Sequence, residues 1–342
     1  MIGFATNVTK VLGVCAALAL ATARPARADG VELRIASLAP SGSPWMEVLD
    51  KAASETKDKT AGRVTLKYFE GGQQGDERDF VRKIKLGQLD GAAVTAVGLS
   101  MIDESIRVLE LPMMFQSAEE LDYVADKMWP YFQAKFEKKG FKLNDRGEVG
   151  WIYFLSKAKV EKLADLRGQK LWLWGDDQLV SAVFKKVGLN GVPLGVPEVD
   201  AALTSGKIDA CYSSPIAAVA LQWYSKVKFM TSMPMSFAIG ATVVSLDAYK
   251  KLAPADAKLV EEVARANARK LRKTIRKANE DAKGTMSRKG VTVVTTPVAM
   301  VDDFTKQATE LWNELAGKIY SKEELKQVLA YRDEYRAKHK AP

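Results

Sequence analysis

Residues 165–215 read DLRGQKLWLWGDDQLVSAVFKKVGLNGVPLGVPEVDAALTSGKIDACYSSP, and the fold is decided there. Lys170 leads into Leu171, Trp172, Leu173 and Trp174, apolar on both faces as a strand inside a covered parallel sheet must be. Gly175 breaks that strand, and Asp176 or Asp177 is placed to cap the helix that follows. Leu179, Val180, Val183, Phe184 and Val187 give this helix one apolar face, and Gly188 stops it. Residues 192–194 form a second strand, and Pro197 opens a helix that ends near Ser205 with Gly206 as its stop. Residues 207–212 are a third strand, and Ser213, Ser214 and Pro215 turn into another helix. Ligands of such open sheets sit at the carboxyl ends of the strands, which gathers 172–177, 195–197 and 212–214 around one rim.

The same order of elements occurs earlier in the chain. Strands at 31–36, 64–69 and 89–94 alternate with helices at 45–60 and 77–85, and a glycine-rich loop at 70–76 precedes the second helix. The letters repeat as well: Gly87, Gln88, Leu89, Asp90, Gly91 and Ala92 parallel Gly206, Lys207, Ile208, Asp209, Ala210 and Cys211. Two like-built α/β lobes are expected, facing each other across a cleft as a hinged clamshell.

The first residues stand apart. Lys10 precedes an apolar run from Val11 to Ala21, and Ala26, Arg27 and Ala28 fit a small-x-small cleavage signal, so 1–28 is read as a secretory leader. Cys15, preceded by Val14, is a poor lipoprotein site. Loss of Lys10, Arg24 and Arg27 takes the net charge from +9 to +6, which favours solubility without implying nucleic acid. Only Cys211 then remains, so a disulfide within the chain is excluded and stability rests on a packed core.

Between the repeats, Ser117 and Glu120 are spaced to cap a helix, and 151–155 (WIYFL) reads as a strand able to cross between lobes. Residues 237–245 are a candidate second crossing. Residues 254–288 read as one very long helix with Val260, Val263, Leu271, Ile275, Ala278 and Ala282 inward. Its Arg265, Arg269, Arg272 and Arg276 form a basic stripe without interleaved aromatics, hence a solvated face and not a nucleic-acid surface. A short strand at 291–295 and helices at 298–317 and 321–339 complete the chain. The expected division is lobe I at 29–150 plus about 234–258, and lobe II at about 151–233 plus 259–342.

Catalytic chemistry has little to stand on. The one histidine, His339, lies in a charged tail, so neither a zinc cluster nor a Ser-His or Cys-His pair can be assembled. The loop from Gly71 to Gly75 lacks the lysine of a P-loop. No enzyme activity, cofactor or metal is expected; a cleft enzyme using Asp176 is a distant alternative. A binding module is the stronger reading.

At this point the chain resembles the solute receptors of tripartite ATP-independent periplasmic (TRAP) transporters, the DctP-like family. The resemblance is carried by Gly71, Gly72, Gln73, Gln74 and Gly75, by Gly87 to Asp90, and by Leu109 to Phe115 in the first lobe. In the second it is carried by Asp165 to Leu171, Glu198 to Leu203, Gly206, Asp209, and Gln222 to Tyr224 leading to Val227 to Thr231. It implies a monomeric periplasmic receptor with a long helix spanning both lobes. Its small-molecule solute would pass to a membrane permease of a small and a large subunit. A sensor presenting solute to a membrane signalling protein would share the fold.

Departures from the family pattern bear on the solute. Where the resemblance implies an arginine that grips a carboxylate, this chain has Trp172; a second such arginine is replaced by Ile152. Tyr212 and Ser213 replace an acidic-amide pair, and only Thr95 offers polarity after the third strand. A solute without an essential carboxylate is therefore expected: lipid-like, isoprenoid, aromatic, or a neutral polar molecule stacked on Trp172 or Trp174. Leu38, Val196, Trp151, Tyr153, Met113 and Phe115 complete the expected contact set. An organic acid held by a displaced Arg146 or Arg34 is the alternative.

Overall fold

A computed structural model describes residues 30–175 and 177–339; the expected leader and Asp176 lie outside them. Its strands are β1 (Val31–Ser37), β2 (Val64–Phe69), β3 (Gly91–Thr95), β4 (Phe141–Leu143), β5 (Gly147–Ser156), β6 (Leu171–Trp174), β7 (Gly191–Leu194), β8 (Ala210–Ser213), β9 (Phe229–Thr231), β10 (Ser236–Ser245) and β11 (Thr292–Val294). They join in the order β2-β1-β3-β10-β5-β8-β6-β7, with β4 on β10, β9 on β5 and β11 on β9.

The order is mirrored about its middle. β1 pairs in parallel with β2 and β3, and β6 pairs in parallel with β7 and β8. These are the two repeats read from the sequence. β10 and β5 tie them together: β10 lies antiparallel to β3 over 240–244 and to β5 over 236–240, while β5 turns its other half, 153–156, to β8. The duplication extends to single bonds. Gly87 and Gly206 both take left-handed backbone, φ 71° and 74°. After each, an aspartate N–H donates to the neighbouring strand, Asp90 to the Arg34 carbonyl at 2.9 Å and Asp209 to the Lys170 carbonyl at 2.8 Å. This turn delays β3 and β8, which begin at Gly91 and Ala210 instead of at 89 and 207.

Local signals explain most boundaries. Ser43, Asp76, Ser117, Asp177 and Ser321 each cap a helix by accepting an N–H from its first turn. The helix after Ser214 ends at Ala220, and Gln222 just beyond it adopts left-handed backbone at φ 62°. β4 and β9, of three residues each, are too short to show alternation.

The long helix, Pro254–Arg288, packs on helix Pro44–Lys59, on β5 and on helix Pro215–Ala220. Its basic stripe is only partly solvated. Arg272 donates to the Arg146 carbonyl at 2.8 Å, and Arg276 donates to both Glu148 oxygens at 2.9 Å and to Asp122 at 2.8 Å. Glu148 is fully buried and Arg146 nearly so, the latter also bonded to Asp122. Periodicity showed these arginines facing outward; it did not show β5 and helix Ala118–Lys138 rising to meet them. Two buried asparagines add anchors: Asn267 donates to Glu55 at 2.9 Å, and Asn279 donates to the Val149 carbonyl at 3.0 Å while accepting the Ile216 N–H at 3.2 Å.

Removing Arg276 would leave Glu148 buried with a poorly placed partner. Arg276→Met is therefore expected to destabilise the protein by about 2–4 kcal/mol, read from urea unfolding; a loss below about 1 kcal/mol would mean the cluster behaves as a surface pair.

Candidate functional site

The two lobes meet around a cavity of about 270 Å³. Leu38, Thr95, Ile152, Trp172, Trp174, Val196, Tyr212 and Ser213 from the expected set all line it. The carboxyl ends of β6 and β8 supply an aromatic wall. Trp172 stacks on Tyr212 with ring centroids 4.7 Å apart and meets Trp223 edge-on at 5.3 Å. The Trp172 indole nitrogen donates to the Leu194 carbonyl at 3.0 Å, and the Tyr212 hydroxyl accepts the Trp174 N–H at 3.2 Å, so neither ring is free to turn.

Four expected residues are elsewhere. Trp151 and Tyr153 flank Ile152 on β5 and so point to the opposite side of the sheet, as strand alternation requires. There Trp151 meets Phe237 edge-on at 4.9 Å, and both Trp151 and Tyr153 line a separate recess with Arg276 and Lys283. Met113 is held by its N–H to the Met235 carbonyl and packs against the core behind the cleft, where Phe115 is buried. The two candidate displaced cations are also absent from the cavity wall: Arg34 pairs with Asp90 at 2.8 Å and Arg146 with Asp122 and Glu148.

What sequence reasoning missed is the polar part of the wall. Arg107, from the 3₁₀ segment Glu104–Glu110, reaches across the lobes to Asp177, with Nη2 3.0 Å from both carboxylate oxygens and 3.4 Å from Glu110. Its Nε and Nη1 have no hydrogen-bond partner among the described residues and are shielded from the open volume. Asp76 makes a second bridge. While capping its own helix it accepts the Trp174 indole N–H at 2.9 Å and the Val196 N–H at 3.1 Å from the other lobe. Gly195 permits this approach, since a Cβ there would lie 2.7 Å from the Asp76 carboxylate. The lobes are thus closed on each other. A lone Arg107 and Glu110, three apart in an otherwise apolar run, was the available signal.

A model of the bacterial extracellular solute-binding protein family 7, DctP, matches residues 35–319. The chain belongs to this family. It is 25% identical over 251 residues to a solute-binding protein of Verminephrobacter eiseniae, covering 72% of this chain and 74% of that one. Its fold matches a TRAP periplasmic solute binding protein from Xanthobacter autotrophicus with bound β-D-galacturonate (TM-score 0.82, 22% identity, 88% and 99% of the chains). It also matches the sugar acid binding protein of Advenella mimigardefordensis with galactonate (0.84, 20%, 90% and 99%) and a TRAP protein from Sulfurospirillum deleyianum with succinate (0.82, 19%, 88% and 99%). The expected two-lobed α/β architecture is that of these receptors. Among the described residues no helix is long and apolar enough to cross a membrane.

Two carboxyls in this family member's cavity wall are unusual. Glu77 accepts the Thr95 N–H at 2.7 Å, the Thr95 hydroxyl at 2.8 Å and the Gly98 N–H at 2.7 Å, yet burial pushes its pKa up to about 8. Burial likewise raises Glu110 to about 7 despite Arg107 beside it. The native state keeps protons on both that the unfolded chain releases above their ordinary value of 4.5. Native stability is therefore expected to fall as pH rises through about 7 and 8. Calorimetric melting points should decline from pH 5.5 to pH 9, and Glu110→Gln should flatten part of the decline; an unchanged slope would show that Glu110 is already ionised.

Proposed function

We infer that this protein is the extracytoplasmic receptor of a TRAP-type secondary transporter. It closes on one small solute between its lobes in the periplasm and hands it to a membrane permease of a small and a large subunit. Lobe I is 29–150 plus about 234–258, and lobe II the remainder of the mature chain. The solute lacks an essential carboxylate and is held by apolar and aromatic contacts.

One observation supports the solute class: among the described residues the only arginine in the cavity wall, Arg107, is already paired with Asp177 at 3.0 Å. A further carboxylate would enter a site whose arginine is already committed to Asp177, with no other cation in the wall among the described residues. Against this stands the wall of Trp172, Trp174, Tyr212, Ile152 and Leu38. Each apolar group fully buried there contributes about 1.5–3 kcal/mol, and several together exceed the roughly 4–15 kcal/mol of lost freedom on association. A second reading, a small organic acid, is favoured by the ligands of the structural relatives.

Native mass spectrometry of protein purified from its own host should reveal an apolar or aromatic compound. Calorimetry with succinate and galacturonate should give no tight binding. Trp172→Arg should weaken the native solute by tenfold or more, the equivalent of about 1.4 kcal/mol. Tight succinate binding that Arg107→Met abolishes would favour the second reading instead.

A further inference from the structure

The cavity does not end at the cleft. It continues under the lobe I sheet, where Leu33, Ile35, Leu66, Tyr68 and Val244 form one wall. The facing wall comes from two helices. Trp45, Val48, Leu49, Ala52 and Thr56 line it from helix Pro44–Lys59, and Val260, Ala264, Asn267, Ala268 and Leu271 from the long helix. Each stripe covers about three turns, so the cavity follows both helices for roughly 16 Å.

Residue size explains why room is left. The sheet face turned to these helices carries Ser37, Ala93, Ala238, Gly240 and Thr242, and the helices answer with Ala52, Ala264 and Ala268. Burial follows the same division: Ser236, Ala238 and Thr242 on β10 keep partial exposure, whereas Phe237, Ile239, Ala241 and Val243 are buried. Leu66 and Tyr68 are also half-buried although they sit inside the lobe, and enclosure raises the Tyr68 hydroxyl pKa, with Asp50 adding to the effect. Trp45, fixed by its indole N–H to the Glu148 carbonyl at 3.1 Å, also lines the cavity. The cleft end is polar and aromatic, with Thr95, Ser213, Arg107 and Asp177; the inner arm carries no charged side chain among those named and is mainly aliphatic, with Tyr68, Thr56 and Asn267 among its lining.

We propose that the solute is a single-chain amphiphile. Its uncharged polar head stays between the lobes against Trp172 and Tyr212, and its hydrocarbon chain runs along the small-residue sheet face into the arm between β1, β2 and the two helices. This rests on the apolar-solute reading above and adds the shape and location of the apolar part.

The probe is a series of straight-chain primary alcohols from octanol to hexadecanol, with the matching fatty acids in parallel. They are titrated against a bound fluorescent apolar dye, using wild type, Ala268→Phe and Ala264→Leu. Both substitutions add bulk facing the arm at half-buried positions, and thermal melts report folding for each. Wild-type affinity should climb by about fourfold per added methylene until the arm is full. The loss caused by either plug should grow with chain length, reaching tenfold or more for hexadecanol. Chain-length profiles that run parallel in wild type and plugged proteins would overturn the proposal. If short apolar or aromatic compounds bind while length has no effect, the apolar reading survives and the arm does not. If only small acids bind tightly, both fail. Stronger binding of the fatty acids than of the alcohols would overturn the uncharged head.

Discussion

The closed arrangement depends on a charge buried between two moving parts. Arg107 belongs to lobe I and Asp177 caps a helix of lobe II, and both are almost fully shielded from water. Desolvating such a pair costs about as much as its attraction returns, so on its own it neither drives closure nor prevents it. It does fix where closure stops, because only one relative position of the lobes satisfies the ion pair together with the bonds from Trp174 and Val196 to Asp76. In the proposed receptor, contacts made to cargo would tip that balance toward closure.

The same pair shapes chemistry. Arg107, the one arginine of the cavity wall among the described residues, is paired with Asp177, and burial raises the pKa of Glu77 to about 8 and of Glu110 to about 7, which limits the negative charge of the wall. What remains is a volume whose wall is mostly, though not wholly, carbon. Alanine and glycine leave room along this wall where leucine would fill it.

Elements set by neighbours in sequence were legible: the left-handed stops at Gly188 and Gly206, the caps at Asp177 and Ser321, the paired β-α-β-α-β units and the exact limits of β2 and helix Glu77–Lys85. The aromatic rim at Trp172, Trp174 and Tyr212 followed from strand ends alone. Bonds between distant segments were not legible. Arg107 to Asp177 joins positions 70 apart, and Arg276 to Glu148 joins positions 128 apart, with no local pattern to mark either. Trp151 and Tyr153 show the opposite failing, since the period-two rule already separated them from Ile152 and aromatic character was weighed above it.

The duplicated unit shows how one architecture supplies two different halves of a site. In the matched motif Ala93 of β3 and Tyr212 of β8 fall at the same position, and both line the cavity. The tyrosine fills its side by stacking on Trp172, which makes lobe II a rigid flat wall. The alanine leaves its side empty, and the cavity runs on from it across Ser37 and Ile35 of β1 to Leu66 and Tyr68 of β2. Backbone geometry is shared, so the asymmetry is a matter of side-chain volume alone. Depth therefore belongs to one lobe and flatness to the other, and it is on this division that the proposed amphiphile rests.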